Sequence, residues 1–128
     1  MLEHVADHAP MEACGLLGGS HSQVQQVVPI RNVAESLDRF RMDPAEQVHA
    51  LFGFEERGLE LVAIYHSHPA GPPSPSHIDI DEAAYPEAVQ LIWFLEEGIW
   101  ICRAYRYEER GAIEVPVTVG SSKDDDGS

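Results

Sequence analysis

Leu61-Val62-Ala63-Ile64-Tyr65-His66-Ser67-His68-Pro69 decides the fold, because an unbroken apolar run leads into two histidines and is stopped by proline. The run reads as a buried strand. Side chains two apart on a strand share a face, so His66 and His68 project together and Ser67 turns to the opposite side. Pro69 cannot continue a central ladder, and Ala70 to Pro75 is a stiff Gly/Pro loop able to carry Asp79 back over the strand end. Two imidazole nitrogens and one carboxylate oxygen leave a tetrahedral zinc ion one open position, the arrangement of catalytic rather than structural sites. Ser76-x-x-Asp79, ahead of Ile80-Asp81-Glu82-Ala83-Ala84, also reads as a helix N-cap with an acidic first turn. The ligand and cap readings are compatible.

A hydrolytic metal centre also needs a carboxylate that accepts a proton from the attacking water. No Glu lies between the histidines. The candidate is Glu12 in Pro10-Met11-Glu12-Ala13-Cys14-Gly15-Leu16-Leu17-Gly18-Gly19, a charged residue leading into an apolar, small-residue strand. Its plainer reading is a solvated carboxylate at a strand start.

Taken together, Glu12, His66, His68, Ser76 and Asp79 resemble the signature of the JAMM, or MPN-plus, metalloproteases: a Glu, then His-Ser-His, seven residues, Ser, two residues, Asp. Glu-Ala-Cys-Gly-Leu-Leu-Gly-Gly at 12 to 19, Asn32, Phe40-Arg41-Met42-Asp43-Pro44, and Tyr85-Pro86 before Leu91-Ile92 are similar to the small prokaryotic branch with CysO-cysteine peptidase and desampylases. The resemblance spans roughly residues 2 to 119. It implies that His66, His68 and Asp79 bind Zn²⁺, that Glu12 is general base and acid, and that Ser76 supports the oxyanion. It further implies a zinc peptidase or isopeptidase that cuts after the C-terminal Gly-Gly of a ubiquitin-like or sulfur-carrier protein. An extended tail of that kind suits addition beside a sheet edge. Two other classes stand beside this reading: a catalytically silent MPN scaffold, which lacks such a ligand set, and a zinc amidohydrolase or peptidoglycan peptidase.

The flanking pattern predicts an α/β domain with a curved, mixed, largely antiparallel β-sheet flanked by helices, the JAMM/MPN, cytidine-deaminase-like fold that the resemblance implies. A short helix is expected at about 2 to 9, then strands at about 13 to 19 and 22 to 29. A short strand near 39 to 42 precedes Asp43-Pro44, which cap and open a helix running to about Arg57 and ended by Gly58. Val48, Leu51, Phe52 and Phe54 are its expected apolar side. A helix at about 77 to 84 follows the strand at 60 to 67, with further strands at about 88 to 95, 99 to 107 and 112 to 119. Glu96-Glu97-Gly98 and Glu109-Arg110-Gly111 read as hairpin turns. Only nine residues precede Pro10, fewer than such relatives usually carry, which is expected to leave a sheet edge open to a partner or a second copy.

At 128 residues and 44% hydrophobic, the chain has enough apolar residues for one core: a single domain over 1 to 119, with a disordered acidic tail at 120 to 128. It has no apolar run of about 20 residues and no basic-then-apolar leader, so a cytoplasmic protein is expected. Cys14 and Cys102 read as buried free thiols, with Cys14 two residues from Glu12 and so within possible reach of the metal. The remaining histidines, His4, His8, His21, His49 and His77, read as bystanders, although His4 and His8 have a helical spacing that suits a metal.

Asp and Glu total 22 against 8 Lys and Arg, for a net charge of −14, and Lys123 is the sole lysine. That balance argues against nucleic acid or anionic membrane as partner, leaving a protein partner and a monomer or homodimer. An acidic, lysine-poor surface is also the composition of halophilic proteins, because the Debye length falls from about 10 Å at 0.1 M salt to about 3 Å at 1 M. The unfolding midpoint is therefore expected to be higher in about 2 M KCl than in about 0.1 M. A flat or falling midpoint across a KCl titration would contradict the halophilic reading.

Overall fold

The computed structural model describes residues 1–21, 23–34, 40–71, 74–76, 79, 85, 87–108 and 111–117. Among the described residues, two helices and six strands follow in the order α1 (Leu2–His8), β1 (Cys14–Ser20), β2 (Gln23–Ile30), α2 (Pro44–Glu56), β3 (Glu60–His68), β4 (Val89–Glu96), β5 (Ile99–Glu108) and β6 (Gly111–Val115). The strands form one open sheet in the order β2-β1-β3-β4-β5-β6. All neighbours are antiparallel except β3 and β4, which run parallel. A parallel pair cannot be joined by a tight turn, so the chain after His68 must travel back along the sheet before β4 begins. That return carries Ser76 and Asp79 past the C-terminal end of β3, where open α/β sheets place their sites.

The turn between β4 and β5 meets the expectation at Glu97 and Gly98, both with positive φ (50° and 80°), as a two-residue hairpin turn matched to strand twist requires. Pro29 lies within β2, tolerated because β2 is an edge strand. β6 is shorter than the expected 112 to 119: it ends at Val115, because Pro116 has no N–H to extend the ladder. The expected short strand near 39 to 42 is reduced, among the described residues, to one bridge between Asn32 and Met42. The helix expected at 77 to 84 lies outside the described residues except for Asp79, which is helical. The tail at 120 to 128 and residues 109 and 110 of the second hairpin turn also lie outside them.

One sheet face packs Leu16 and Ile64 against Ala50 and Phe54 of α2. The other packs Leu17, Ala63, Tyr65 and Leu91 against Val5 of α1. Asp43 caps α2, its carboxylate accepting from the Ala45 and Glu46 amides at 2.9 and 3.2 Å. The apolar side of α2 differs from expectation, because Val48 and Phe52 are exposed at 52% and 62%. Phe54 determines this rotation: its ring fills the space over Gly18 that a Cβ would occupy. Residues two positions from Phe54 lie about 200° around the helix and face solvent.

His4 has a structural contact, its Nδ1 lying 2.7 Å from the hydroxyl of the buried Tyr65. Burial pushes the Tyr65 hydroxyl well above the usual tyrosine range. The His4 imidazole is lowered by its own burial and by His8 and the amino terminus, against a raising effect of Asp7.

Gly15 is where Tyr65 needs the backbone bare, because a Cβ there would overlap the phenol ring. Gly15→Ala is therefore expected to destabilise the protein by about 1–3 kcal/mol, measured by urea unfolding. Unchanged stability would show that Tyr65 has room to move.

Candidate metal centre and active site

β1 and β3 pair so that Cys14 lies opposite His66. Just before this ladder, Ser67 takes both polar groups of Ala13: its amide donates to the Ala13 carbonyl at 3.0 Å, and its hydroxyl accepts from the Ala13 amide at 2.8 Å. Glu12 is thereby drawn to the histidines. Asn32 adds a second tie, its Nδ2 donating to the Glu12 carbonyl at 3.0 Å while its Oδ1 accepts from the amides of Ala34 and Arg41 at 3.0 and 2.8 Å. Glu12, His66, His68 and Asp79 are all buried.

Strand alternation puts His66 and His68 on one face, with their Nε2 atoms 3.1 Å apart. Asp79 Oδ2 lies 3.3 Å from the first and 3.0 Å from the second. Zinc bonds of about 2.0–2.1 Å in a tetrahedron give ligand separations of about 3.3–3.4 Å, so these three atoms stand nearly as an ion would need them. Glu12 Oε2 is farther away, 4.0 Å from His68 Nε2, beside the set rather than within it. Glu12, His66 and His68 also offer ligand atoms within 4.8 Å of one another. The donor set of two imidazoles and a carboxylate fits a zinc ion.

Protonation is consistent with that fit. Burial lowers the pKa of His66 despite the raising effect of Asp79, which favours the neutral imidazole that a metal requires. Burial opposes ionisation of Asp79, but the bonds to His66 and His68 and the Ser76 amide hold its carboxyl well below the usual range. The aspartate is anionic at neutral pH.

Ser76 and Asp79 exchange two hydrogen bonds: the Ser76 amide donates to Asp79 Oδ2 at 2.8 Å, and the Asp79 amide donates to Ser76 Oγ at 3.0 Å. This is a capping box, so the cap and ligand readings hold in one geometry. The cap uses a lone pair of the Ser76 oxygen and leaves its O–H to donate elsewhere.

Cys14 does not join the site. Its thiol donates to the Ile30 carbonyl at 3.4 Å within the core, and burial, with Glu12 and Glu46 adding, pushes its pKa up to about 12. Both cysteines are free, although Cys102 is only half-buried.

Two neighbours were given no role by the sequence reading. Phe40 stacks on His66 with centroids 4.4 Å apart and planes at 25°, shielding one side of the ring. The Asn32 side chain ties backbone groups of Glu12, Ala34 and Arg41 together. A bulky aromatic between polar residues and an Asn ahead of it carry no periodic signal that marks them.

The paired bonds of Ser67 make it a structural member of the site. Ser67→Ala leaves the buried Ala13 amide without its acceptor and is expected to cost about 1–3 kcal/mol in chemical denaturation. No loss would mean that the backbone pairing alone holds Glu12.

Residues 1–108 match the family model for prokaryotic homologs of the JAB domain. A desampylase of Pyrococcus furiosus is 43% identical over 116 residues, covering 90% of this chain and 81% of that protein. A CysO-cysteine peptidase of Mycobacterium tuberculosis is 31% identical over 122 residues, covering 93% and 84%. A probable TtuB-protein conjugate cleaving protease of Thermus thermophilus is 45% identical over 97 residues, 75% of this chain but only 64% of that relative's length. A solution structure of a Desulfitobacterium hafniense protein superposes with a TM-score of 0.79 at 36% identity, covering 90% of this chain and 82% of that one. Among the described residues, no helix is long and apolar enough to cross a membrane. With the family model matched over residues 1–108 and the fold shared, the chain belongs to the prokaryotic branch of the JAB-domain family, the JAMM or MPN-plus family that its Glu12 to Asp79 pattern resembles.

Proposed function

We propose that this protein is a zinc-dependent peptidase or isopeptidase that hydrolyses the amide bond after the C-terminal Gly-Gly of a ubiquitin-like or sulfur-carrier protein. One observation carries the chemistry: Asp79 Oδ2 meets both histidine Nε2 atoms at 3.0–3.3 Å, with a buried carboxylate from Glu12 beside them. Relatives named for cleaving TtuB conjugates, for desampylation and for CysO-cysteine cleavage support the substrate class.

His66, His68 and Asp79 would hold the ion. Bound zinc supplies Lewis acidity, polarising the scissile carbonyl and bringing the pKa of water to about 7. Glu12 accepts the proton of the attacking water and returns it to the departing amine, because its carboxylate stands just outside the ligand set. The Ser76 hydroxyl donates to the oxygen that gains charge as the carbonyl carbon becomes tetrahedral. Phe40 excludes water from the open side of His66. An extended tail adds along the β2 edge, whose Ile30 lies level with Cys14 and His66.

The test is incubation of metal-loaded protein with a Gly-Gly-ending carrier fused to cysteine or to a lysine side chain, followed by mass. His68→Ala and Asp79→Ala are expected to lose most of the roughly one zinc per chain, since three protein ligands leave no redundancy. Glu12→Gln is expected to keep zinc and fold but to lose hydrolysis by about 10²–10⁴-fold or more. Zinc retained in full by His68→Ala, or near wild-type cleavage by Glu12→Gln, would contradict the assignments.

A further inference from the structure

β1, β3 and β4 carry no Lys or Arg, and β5 carries two, Arg103 and Arg106. Their faces differ. Ile92 of β4 is the register partner of both His66 and Arg103, so Arg103 stands on the histidine face two strands from His66, about 10 Å between Cα atoms. Arg106 lies between the buried Tyr105 and Tyr107 and turns to the other side. The Arg103 side chain leans toward the site: its guanidinium carbon is 5.4 Å from the Phe94 ring centroid, and Phe94 is the register partner of His68. β2, the edge proposed for the Gly-Gly tail, lies on the opposite side of the histidines from β5. With the tail along β2, as proposed, Arg103 stands on the side of the histidines left to the departing group.

Structural reasons account poorly for this placement. Among the described residues its acidic partner is Glu114, met through Nε at 3.9 Å, with side chains 44% and 55% exposed. Exposed pairs of that kind contribute little. Contact with the Phe94 face leaves the edge of the guanidinium fork available to a planar anion. On a chain of net charge −14, an anionic substrate group is repelled unless a local cation receives it.

We propose that Arg103 binds the free α-carboxylate of the residue leaving the scissile amide, making the preferred substrate a Gly-Gly carrier joined to the α-amino group of a single amino acid. This deepens the proposed function and rests on it. In such a substrate the carboxylate lies two bonds beyond the scissile nitrogen, whereas a lysine isopeptide presents a methylene stem at that place. The reaction remains hydrolysis: the C–N bond breaks, the hydroxyl of water joins the Gly carbonyl carbon, and its proton goes to the nitrogen. The products are the carrier carboxylate and the free amino acid.

The test uses the full zinc-loaded chain and two carriers, one ending Gly-Gly-Cys as the free acid and one ending in cysteinamide, with kcat/KM followed by mass. Wild type is expected to prefer the acid by about tenfold or more, as loss of a charge-assisted pair predicts. Arg103→Met is expected to bring that ratio close to one, and Arg103→Lys to restore part of it, because lysine keeps the charge but not the fork. A structural role alone would leave the ratio untouched. Equal cleavage of both carriers by wild type, or a preserved preference in Arg103→Met, would overturn this assignment alone. Failure to cleave either carrier while a lysine-linked carrier is cleaved would also overturn this assignment alone, and failure on all three would overturn it together with the proposed function.

Discussion

Ser67 and Ala13 hold each other through two hydrogen bonds, and the geometry of the site depends on that clamp. Strand alternation turns Ser67 away from the histidines, toward the chain that has just delivered Glu12. The same residue that separates the two imidazoles therefore sets the distance of the carboxylate from them. Because these groups are buried, no water replaces a lost partner, so small errors in register are costly. The bare backbone at Gly15 allows Tyr65 to lie against β1, so packing below the strand and chemistry above it draw on one register.

The parallel step from β3 to β4 supplies the other half. It obliges the chain to make a long return, and the return begins where the histidines end. Ser76 and Asp79 then use a helix start twice. The cap bonds fix the carboxylate, and the fixed carboxylate faces both Nε2 atoms. Desolvation alone would favour a protonated aspartic acid, but the two imidazoles and the Ser76 amide outweigh it. Local folding and the donor set are in this way one piece of structure.

Much of this was legible in residue order. The apolar run into His66-Ser67-His68 placed a central strand and the facing of the two imidazoles, and Asp43-Pro44 placed the start of α2. Periodicity did not orient α2: Val48 and Phe52 are as apolar as the buried Ala50 and Phe54, and the fit of Phe54 over Gly18 chooses between the sides. Pro116 marks the end of β6 in the sequence, although the apolar pattern runs on past it. Phe40 meets His66 from 26 residues away, Asn32 meets Glu12 from 20, and Arg103 stands on the histidine face 37 residues from His66, through pairing and sheet order that no local window encodes. The spacing of Cys14 from Glu12 is compatible both with a place beside the metal and with the core. The core settles it, because the thiol bonds to the Ile30 carbonyl.

We propose that one buried locus gathers two imidazoles and a carboxylate, without sulfur, into a zinc site. X-ray absorption at the zinc edge of metal-loaded protein tests it directly. The account predicts a shell of nitrogen and oxygen donors at about 2.0–2.1 Å with outer scattering from two imidazoles. A sulfur shell at about 2.3 Å, or scattering from a single imidazole, would contradict it.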